Sequence, residues 1–250
     1  MKTVHIFLFG ILFTCTSSCY REEEIVAQAN LDDWSEETHT SASGFNYDIV
    51  FPQDKVNRID LVIPEENWKA MLDDMEANYG AIIPFSEIKD GFIGPGGPGG
   101  PGDPGGGIFP ANDPIFVDCS VFFNGIEWYY VGVRFKGNSS LKNAWNTGIM
   151  KLSFKLDFTE FSDEHPEIQE QRFFGFRQLN LKNNFADKSY LREKVTSDIF
   201  RNAGIASAKT AFYRVFVDYG EGPKYFGLYT MVEEPEDSML ETQFDDGSGN

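Results

Sequence analysis

The stretch of sequence that decides the fold is Val133-Arg134-Phe135-Lys136-Gly137-Asn138-Ser139-Ser140. A strand-like run ends there in two cations, a glycine and three small polar residues. Backbone N–H groups, hydroxyls and positive charge can together wrap an anion. Because the chain carries a formal net charge of −18, a cationic turn is unusual in it. The stretch therefore predicts the end of a strand followed by an anion-binding loop.

Strands are predicted on both sides of this turn. The segments 115–123 and 128–135 are rich in β-forming residues and are joined by an Asn-Gly pair, which predicts a hairpin. Downstream, the segment 150–158 alternates strictly between apolar and polar residues, as a strand with one buried face does. Further strands are predicted over 58–63, 179–182, 211–218 and 225–233.

Two helices are predicted beside these strands. Pro64 opens the first, which carries apolar residues at helical spacing. Asp187 is placed as the N-cap of the second, which runs to about Ala203 and stops at Gly204. Apolar side chains occur on two sides of this second helix, so we expect it to be covered on both. Strands, one covered helix and a closing hairpin indicate an α+β fold.

The overall composition indicates a folded body. The 250 residues are 41% hydrophobic and 15% aromatic, which suits one large domain or two small ones. The acid excess argues against nonspecific nucleic-acid binding, because that activity needs a basic surface. We therefore expect no nucleic-acid partner.

The N-terminal residues indicate export. Residues 1–19 combine a basic start, a short apolar run and small residues before Cys19. This pattern predicts a bacterial lipoprotein signal with Cys19 as the lipidated residue; Cys15 as that residue and ordinary secretion with cleavage near Ser18 are the alternatives. We expect a chain that is lipid-anchored in the cell envelope and that meets the membrane only through this anchor.

Domain boundaries follow from composition. Residues 20–47 are acidic and polar and predict a tether between anchor and body, so the folded domain is expected over 48–250. Within it, 94–107 is almost entirely Gly and Pro, which indicates an inserted surface loop. The sequence stops after Asp245 and Asp246 in a turn-like stretch, from which we expect a domain interrupted at its C-terminus.

The cysteine and histidine residues do not indicate a metal site. Cys119 lies in a β-rich run, where a buried thiol is more common than a nucleophile. His39 and His165 stand alone among polar residues, and we expect no metal ligands among them.

Three polar features are candidates for a common site. They are the turn at 134–140, the lysines Lys151 and Lys155 on the next strand, and the helix that carries Arg192 and Glu193. A kinase small lobe holds nucleotide phosphates with similar parts: a glycine-containing hairpin, a strand lysine and a helix carboxylate that orients the lysine. By spacing alone, Lys151, Lys155 and Lys182 are better explained as the solvated face of a sheet.

Several blocks of the sequence resemble the spore-coat protein H (CotH) kinase family. The resemblance begins with Gly132 to Ser140 and continues with Leu179-Asn180-Leu181-Lys182-Asn183-Asn184-Phe185-Ala186-Asp187 and Leu191-Arg192-Glu193-Lys194. The blocks from Ala206 to Tyr213 and from Tyr225 to Glu234 follow in the same order, so that the resemblance covers roughly 58–250. It implies an atypical protein-kinase-like fold, here mostly the N-terminal β-rich lobe.

The resemblance also implies an activity and a set of site residues. Family members of the spore coat transfer phosphate from ATP, with a divalent metal such as Mg²⁺, to Ser or Thr hydroxyls of other proteins. The cofactor-binding residues implied here are Arg134, Lys136, Gly137, Asn138, Ser139, Ser140, Lys151, Lys155, Lys182, Arg192, Glu193 and Glu233. Lys194 is an alternative to Glu193 on the helix, and Glu233 with Glu234 marks the expected nucleotide-side hinge.

The catalytic aspartates of the family are expected beyond Asn250, so the fragment is expected to be inactive alone. Because extracytoplasmic compartments hold little ATP, a non-catalytic surface binding or adhesion lipoprotein on the same scaffold remains the alternative. A purely structural envelope protein is the third interpretation, which the cationic turn disfavours.

Overall fold

A seven-stranded barrel forms the centre of the fold in the computed structural model, which describes residues 31–82 and 113–244. The strands are β1 (Asn57–Val62), β2 (Val117–Phe123), β3 (Ile126–Lys136), β4 (Ser153–Asp157), β5 (Gln178–Lys182), β6 (Thr210–Asp218) and β7 (Lys224–Glu233). The helices are α1 (Glu36–His39), α2 (Tyr47–Val50), α3 (Glu65–Tyr79), α4 (Ser139–Asn146), α5 (Arg192–Asn202) and α6 (Asp237–Gln243). A short 3₁₀ turn covers Pro166–Ile168. The predicted α+β class is confirmed.

The strands close in the order β1-β2-β3-β4-β5-β7-β6. Neighbouring strands are antiparallel except for β1 and β6, which run parallel and complete the ring. Because side chains alternate along a strand, Val133 and Phe135 of β3 point into the buried interior. Arg134 and Lys136 therefore belong to the outer face, and the same alternation places Lys155 of β4 there.

Aromatic side chains fill much of the barrel and its N-terminal cover. Phe135, Phe154 and Tyr229 are buried, and the Phe154 ring centroid lies 5.5 Å from that of Phe135 and 6.1 Å from that of Tyr229. The Tyr229 hydroxyl donates to the Leu152 carbonyl at 2.9 Å, so its polar atom is satisfied inside the core. Cys119 is buried, as predicted, and burial raises the pKa of its thiol.

Part of the predicted tether is folded. Residues 31–47 pack against the barrel, where the His39 ring is fully buried between Trp34 and Trp128 at centroid distances of 4.8 and 4.7 Å. His39 Nε2 lies 2.8 Å from the Glu127 carbonyl oxygen. Burial lowers the pKa of His39, opposed by this hydrogen bond and by the Asp33 charge. The prediction of a tether over 20–47 is therefore wrong for these residues, because their aromatic side chains bury apolar area on the barrel.

The helix predicted after Asp187 differs from expectation in two ways. The helix begins only at Arg192. Asp187 lies five residues before it and is not the N-cap residue, but its carboxylate accepts a hydrogen bond from the Arg192 N–H at 2.9 Å. Within the described residues it packs against β6 and leaves Leu191, Val195 and Ile199 largely exposed. The expected cover on both sides is thus wrong for the described part of the chain.

Several sequence predictions fall outside the described residues. They concern Cys19 and the signal, the Gly/Pro insertion at 94–107, and the pair Asp245 and Asp246. In the part of the chain that the structure does describe, the helices are too short or too polar to cross a bilayer.

Candidate anion-binding site

Lysines from two neighbouring strands meet on the outer face of the barrel. The register pairs Lys155 of β4 with Asn180 of β5, and Lys136 projects from the end of β3 beside them. Lys136 Nζ lies 2.6 Å from the Asn180 Oδ1 atom and 3.0 Å from Glu234 Oε2. Lys155 Nζ lies 3.5 Å from Glu234 Oε1, and Asn180 Nδ2 donates to Glu234 Oε2. We call Lys136, Lys155, Asn180 and Glu234 the outer-face cluster.

Partial burial sets the electrostatics of the outer-face cluster. Burial lowers the pKa of Lys136 despite its hydrogen bond to Glu234, and the Lys155 and Lys182 charges lower it further. Burial raises the pKa of Glu234, but hydrogen bonds from Asn180 and Lys136 and the charges of Lys136 and Lys155 outweigh this and leave it below its ordinary value. The cluster is thus a cationic site with its own carboxylate inside it.

A second ion pair lies beside this cluster. Lys182, the last residue of β5, pairs with Glu193 in the first turn of α5. Their side chains are 40% and 34% exposed, so solvent screens the pair and it contributes only about 0–1 kcal/mol to folding stability. The structure therefore brings together two of the predicted residues, and Lys182 is the candidate lysine with which Glu193 pairs.

The glycine turn leads into a helix. Gly137 has a φ of +124°, and a Cβ there would lie 2.9 Å from Ser140 Oγ. Asn138 is the N-cap of α4, and Ser139 and Ser140 are its first two residues. The predicted loop over 137–140 is thus only a sharp turn, because Leu141, Ala144 and Trp145 bury one face of a helix that starts immediately after it.

Two of the predicted cations are engaged elsewhere. Arg134 is nearly buried, pairs with Asp113 at 2.8 Å and lies over the Phe116 ring. Lys151 precedes β4 and donates to the Leu228 carbonyl at 2.7 Å. Burial lowers the pKa of Lys151 to about 8. Neither contact places these side chains in the outer-face cluster.

Glu233 and Arg192 also have local structural roles. The buried Glu233 carboxylate accepts hydrogen bonds from the Tyr47 hydroxyl at 2.5 Å, the Ser238 hydroxyl at 2.8 Å and the Lys209 N–H at 2.8 Å. Arg192 is 75% exposed and lies 3.7 Å from Asp187. Of the two glutamates at the end of β7, Glu234 and not Glu233 faces the lysines.

A cavity adjoins the outer-face cluster at the end of β7. It has a volume of about 340 Å³, and its lining includes Glu234 of the cluster and Gln178, two residues before Asn180 on β5. Arg177 Nε and Gln178 Oε1 are buried here without a hydrogen-bond partner. The cavity therefore provides open space with a largely polar lining next to the cations.

The described residues offer groups for the phosphates of ATP but no cluster of ligands for Mg²⁺. Lys136, Lys155 and Lys182 form a cationic surface suited to phosphate oxygens. For Mg²⁺, residues 31–82 and 113–244 contain no group of three or more His, Cys, Asp or Glu side chains placed to hold a metal ion. We therefore assign no metal ligand among them.

The comparisons with known proteins support the resemblance seen in the sequence. Residues 133–250 match a family model described as CotH kinase protein. The match includes all of the outer-face cluster and the Lys182–Glu193 pair. No curated protein matches the chain.

Proposed function

From the match of residues 133–250 to the CotH kinase protein family, we propose that this chain forms the nucleotide-side part of a protein kinase. In this proposal the outer face of the barrel holds the phosphates of ATP, and the full-length protein transfers phosphate to Ser or Thr hydroxyls of a protein substrate. The observation that carries the proposal is the ion pair between Lys182 at the end of β5 and Glu193 at the start of α5.

The order of elements supports this assignment. In protein kinases a glycine-rich turn follows the first strand of the small lobe, the phosphate-binding lysine lies on the third, and the next helix carries its carboxylate partner. Here Gly137 follows β3, Lys182 ends β5 two strands later, and Glu193 lies on the helix that comes next. Strands β6 and β7 then lead to Glu234, where a kinase would have its hinge.

Each side chain has a defined part in this proposal. Glu193 fixes the Lys182 ammonium, while Lys136 and Lys155 add positive charge for the other phosphate oxygens. The neighbouring cavity of about 340 Å³, lined by Gln178 and Glu234 among others, is the space that we assign to the ribose and base end. When bound, ATP would supply the phosphoryl group; we assign no catalytic base and no Mg²⁺ ligand among the described residues.

Location and partners are part of the same proposal. Lipidation of Cys19 would hold the protein in the cell envelope, with the membrane contacted only through the anchor and no nucleic acid bound. Mass spectrometry of the mature N-terminus tests this point. An unmodified N-terminus after Ser18 would contradict lipidation.

Calorimetric titration of the full chain with ATP and Mg²⁺ tests nucleotide binding. We expect Lys182→Ala to weaken ATP binding at least about tenfold, because it removes a full charge from the phosphates. The matched control is Lys69→Ala, which removes an exposed lysine of α3 that also pairs with an acid four residues on, and should stay within about twofold of wild type. Equal ATP affinity in wild type and Lys182→Ala would overturn the assignment, and no binding at all would favour a non-catalytic binding protein.

A further inference from the structure

The Glu234 carboxylate lies where three donors converge. Its Oε2 atom is 3.0 Å from Lys136 Nζ and accepts a hydrogen bond from Asn180 Nδ2, and its Oε1 atom is 3.5 Å from Lys155 Nζ. Asn180 is nearly buried, and its amide oxygen accepts from Lys136 at 2.6 Å, which fixes the orientation of the amide. Two ammonium groups and an amide N–H around one carboxylate are the parts of an anion-binding site.

This anion site is reachable from solvent. The side chains of Lys136, Lys155 and Glu234 are 29%, 14% and 17% exposed, and the cavity of about 340 Å³ opens beside Glu234. A single carboxylate serves both lysines, and the charge of Lys182 also acts on Lys136. The two lysines and one carboxylate of the cluster therefore sum to one positive charge with Glu234 in place.

Glu234 is attached differently from the groups that bind it. Lys136, Lys155 and Asn180 belong to hydrogen-bonded strands, whereas Glu234 is the first residue after β7 and is followed by Pro235. Two residues on, Glu236 pairs with Arg177 at 2.8 Å and ties the segment to the start of β5. A rotation of the Glu234 side chain can thus empty the anion site without disturbing the barrel.

We propose that Glu234 is an internal competitor that occupies the phosphate site until a polyphosphate ligand displaces its carboxylate from Lys136 and Lys155. The carboxylate sets a threshold: it excludes weakly charged anions, and ligands that carry several negative charges replace it. For ATP, this inference rests on the proposed function. The anion site itself is defined by the geometry of the cluster and applies to any polyphosphate.

A role of Glu234 in binding ribose would give the opposite result on removal of its charge. If its carboxylate accepted hydrogen bonds from ribose hydroxyls, removing the charge would weaken ATP binding and leave a ligand without ribose unaffected. Inorganic tripolyphosphate, which has neither ribose nor base, separates the two roles.

The test is calorimetric titration of the full chain with tripolyphosphate and with ATP. Glu234→Gln keeps the size of the side chain and removes its charge, and we expect it to bind tripolyphosphate at least about tenfold more tightly than wild type. Glu221→Gln is the matched control, since it removes an exposed carboxylate that is paired with Lys224 at the other end of β7, and should change the affinity by less than about twofold. Unchanged or weaker tripolyphosphate binding by Glu234→Gln would overturn the proposal.

A second variant guards against a folding defect. If Glu234→Gln does not fold, Glu234→Asp replaces it in the test. This change shortens the side chain by one methylene, so that the negative charge is kept but lies farther from the lysines. We expect Glu234→Asp to bind tripolyphosphate about threefold more tightly or better, and no gain would again contradict the proposal. In the Glu234→Gln background, Lys155→Ala should abolish the gain.

The outcomes distinguish this proposal from the proposed function. If the chain does not bind ATP but Glu234→Gln tightens tripolyphosphate binding, the nucleotide function fails and the competitor role stands. If ATP binds through Lys182 but Glu234→Gln gains nothing for tripolyphosphate, only the competitor role fails.

Discussion

Replacing Tyr47 by Phe tests whether Glu233 is a structural carboxylate or a cofactor contact. Glu233 is 1% exposed and accepts three hydrogen bonds, the shortest of them from the Tyr47 hydroxyl at 2.5 Å. With its proton on Glu233, the same hydroxyl can accept from Thr242 Oγ1, which lies 3.1 Å away. Tyr47→Phe removes one of the three hydrogen-bond donors to the buried Glu233 carboxylate. It also removes the hydroxyl through which the N-terminal segment contacts α6.

The magnitude follows from the type of bond lost. A hydrogen bond to a charged group contributes about 1.5–3 kcal/mol, and because Tyr47 is only half-buried we expect about 2 kcal/mol. For a chain of this size that loss corresponds to a melting temperature lower by about 4–8 °C. ATP affinity should remain within about twofold of wild type, because Glu233 faces away from the lysines.

Thermal and urea denaturation measure the loss, with Tyr225→Phe as the control because Tyr225 is 56% exposed. The control should change stability by less than about 0.5 kcal/mol. The reasoning is refuted if Tyr47→Phe is as stable as Tyr225→Phe, or if it loses ATP affinity with its stability unchanged. Burial and the Glu233 hydrogen bond raise the pKa of Tyr47 to about 12, so this tyrosine's contribution is present below pH 10 and is lost as the pH rises towards 12.

Three further changes test other parts of the structure. Gly175→Ala would place a Cβ 2.3 Å from the Gly44 carbonyl oxygen, so we expect urea denaturation to show a loss of about 2 kcal/mol or more; Gly222→Ala, also at positive φ but with open space around it, should lose less. Because burial lowers the pKa of His39, wild type should lose more stability than His39→Gln between pH 7 and pH 5, since the unfolded chain takes up the proton first; parallel denaturation curves would contradict this. Cys119 should resist a thiol reagent until denaturant is added, and peptide mapping that finds it modified in the native chain would contradict its burial.

The strands were predictable because their patterns are local. β-forming residues around Val133 identified β3, alternating apolar residues around Phe154 identified β4, and the Asn-Gly pair identified the hairpin of β2 with β3. The closure of the barrel depends on the parallel contact of β1 with β6, which joins residues about 150 positions apart, and no local pattern encodes it.

The candidate site was only partly predictable for the same reason. Lys136, Lys155, Lys182 and Glu193 were selected from the sequence, but Asn180 and the ion pairs of Glu234 depend on the register between β4, β5 and β7. Helix α4 did have a local signal that was missed, since Leu141, Ala144 and Trp145 recur at helical spacing. The folding of 31–47 was also signalled, by Trp34 and His39 in an otherwise acidic stretch.

An acyl-phosphate derivative of ATP tests the central claim most directly. Its mixed anhydride acylates a lysine amine that lies close to the bound phosphates, and ATP leaves, so peptide mapping identifies the lysine that was labelled. We expect labelling at Lys182, Lys155 or Lys136 that excess ATP suppresses. Lys69 of α3 should be labelled no more than background. Labelling that excess ATP does not suppress, or that is as strong at Lys69 as at these three lysines, would contradict a nucleotide site on the outer face of the barrel.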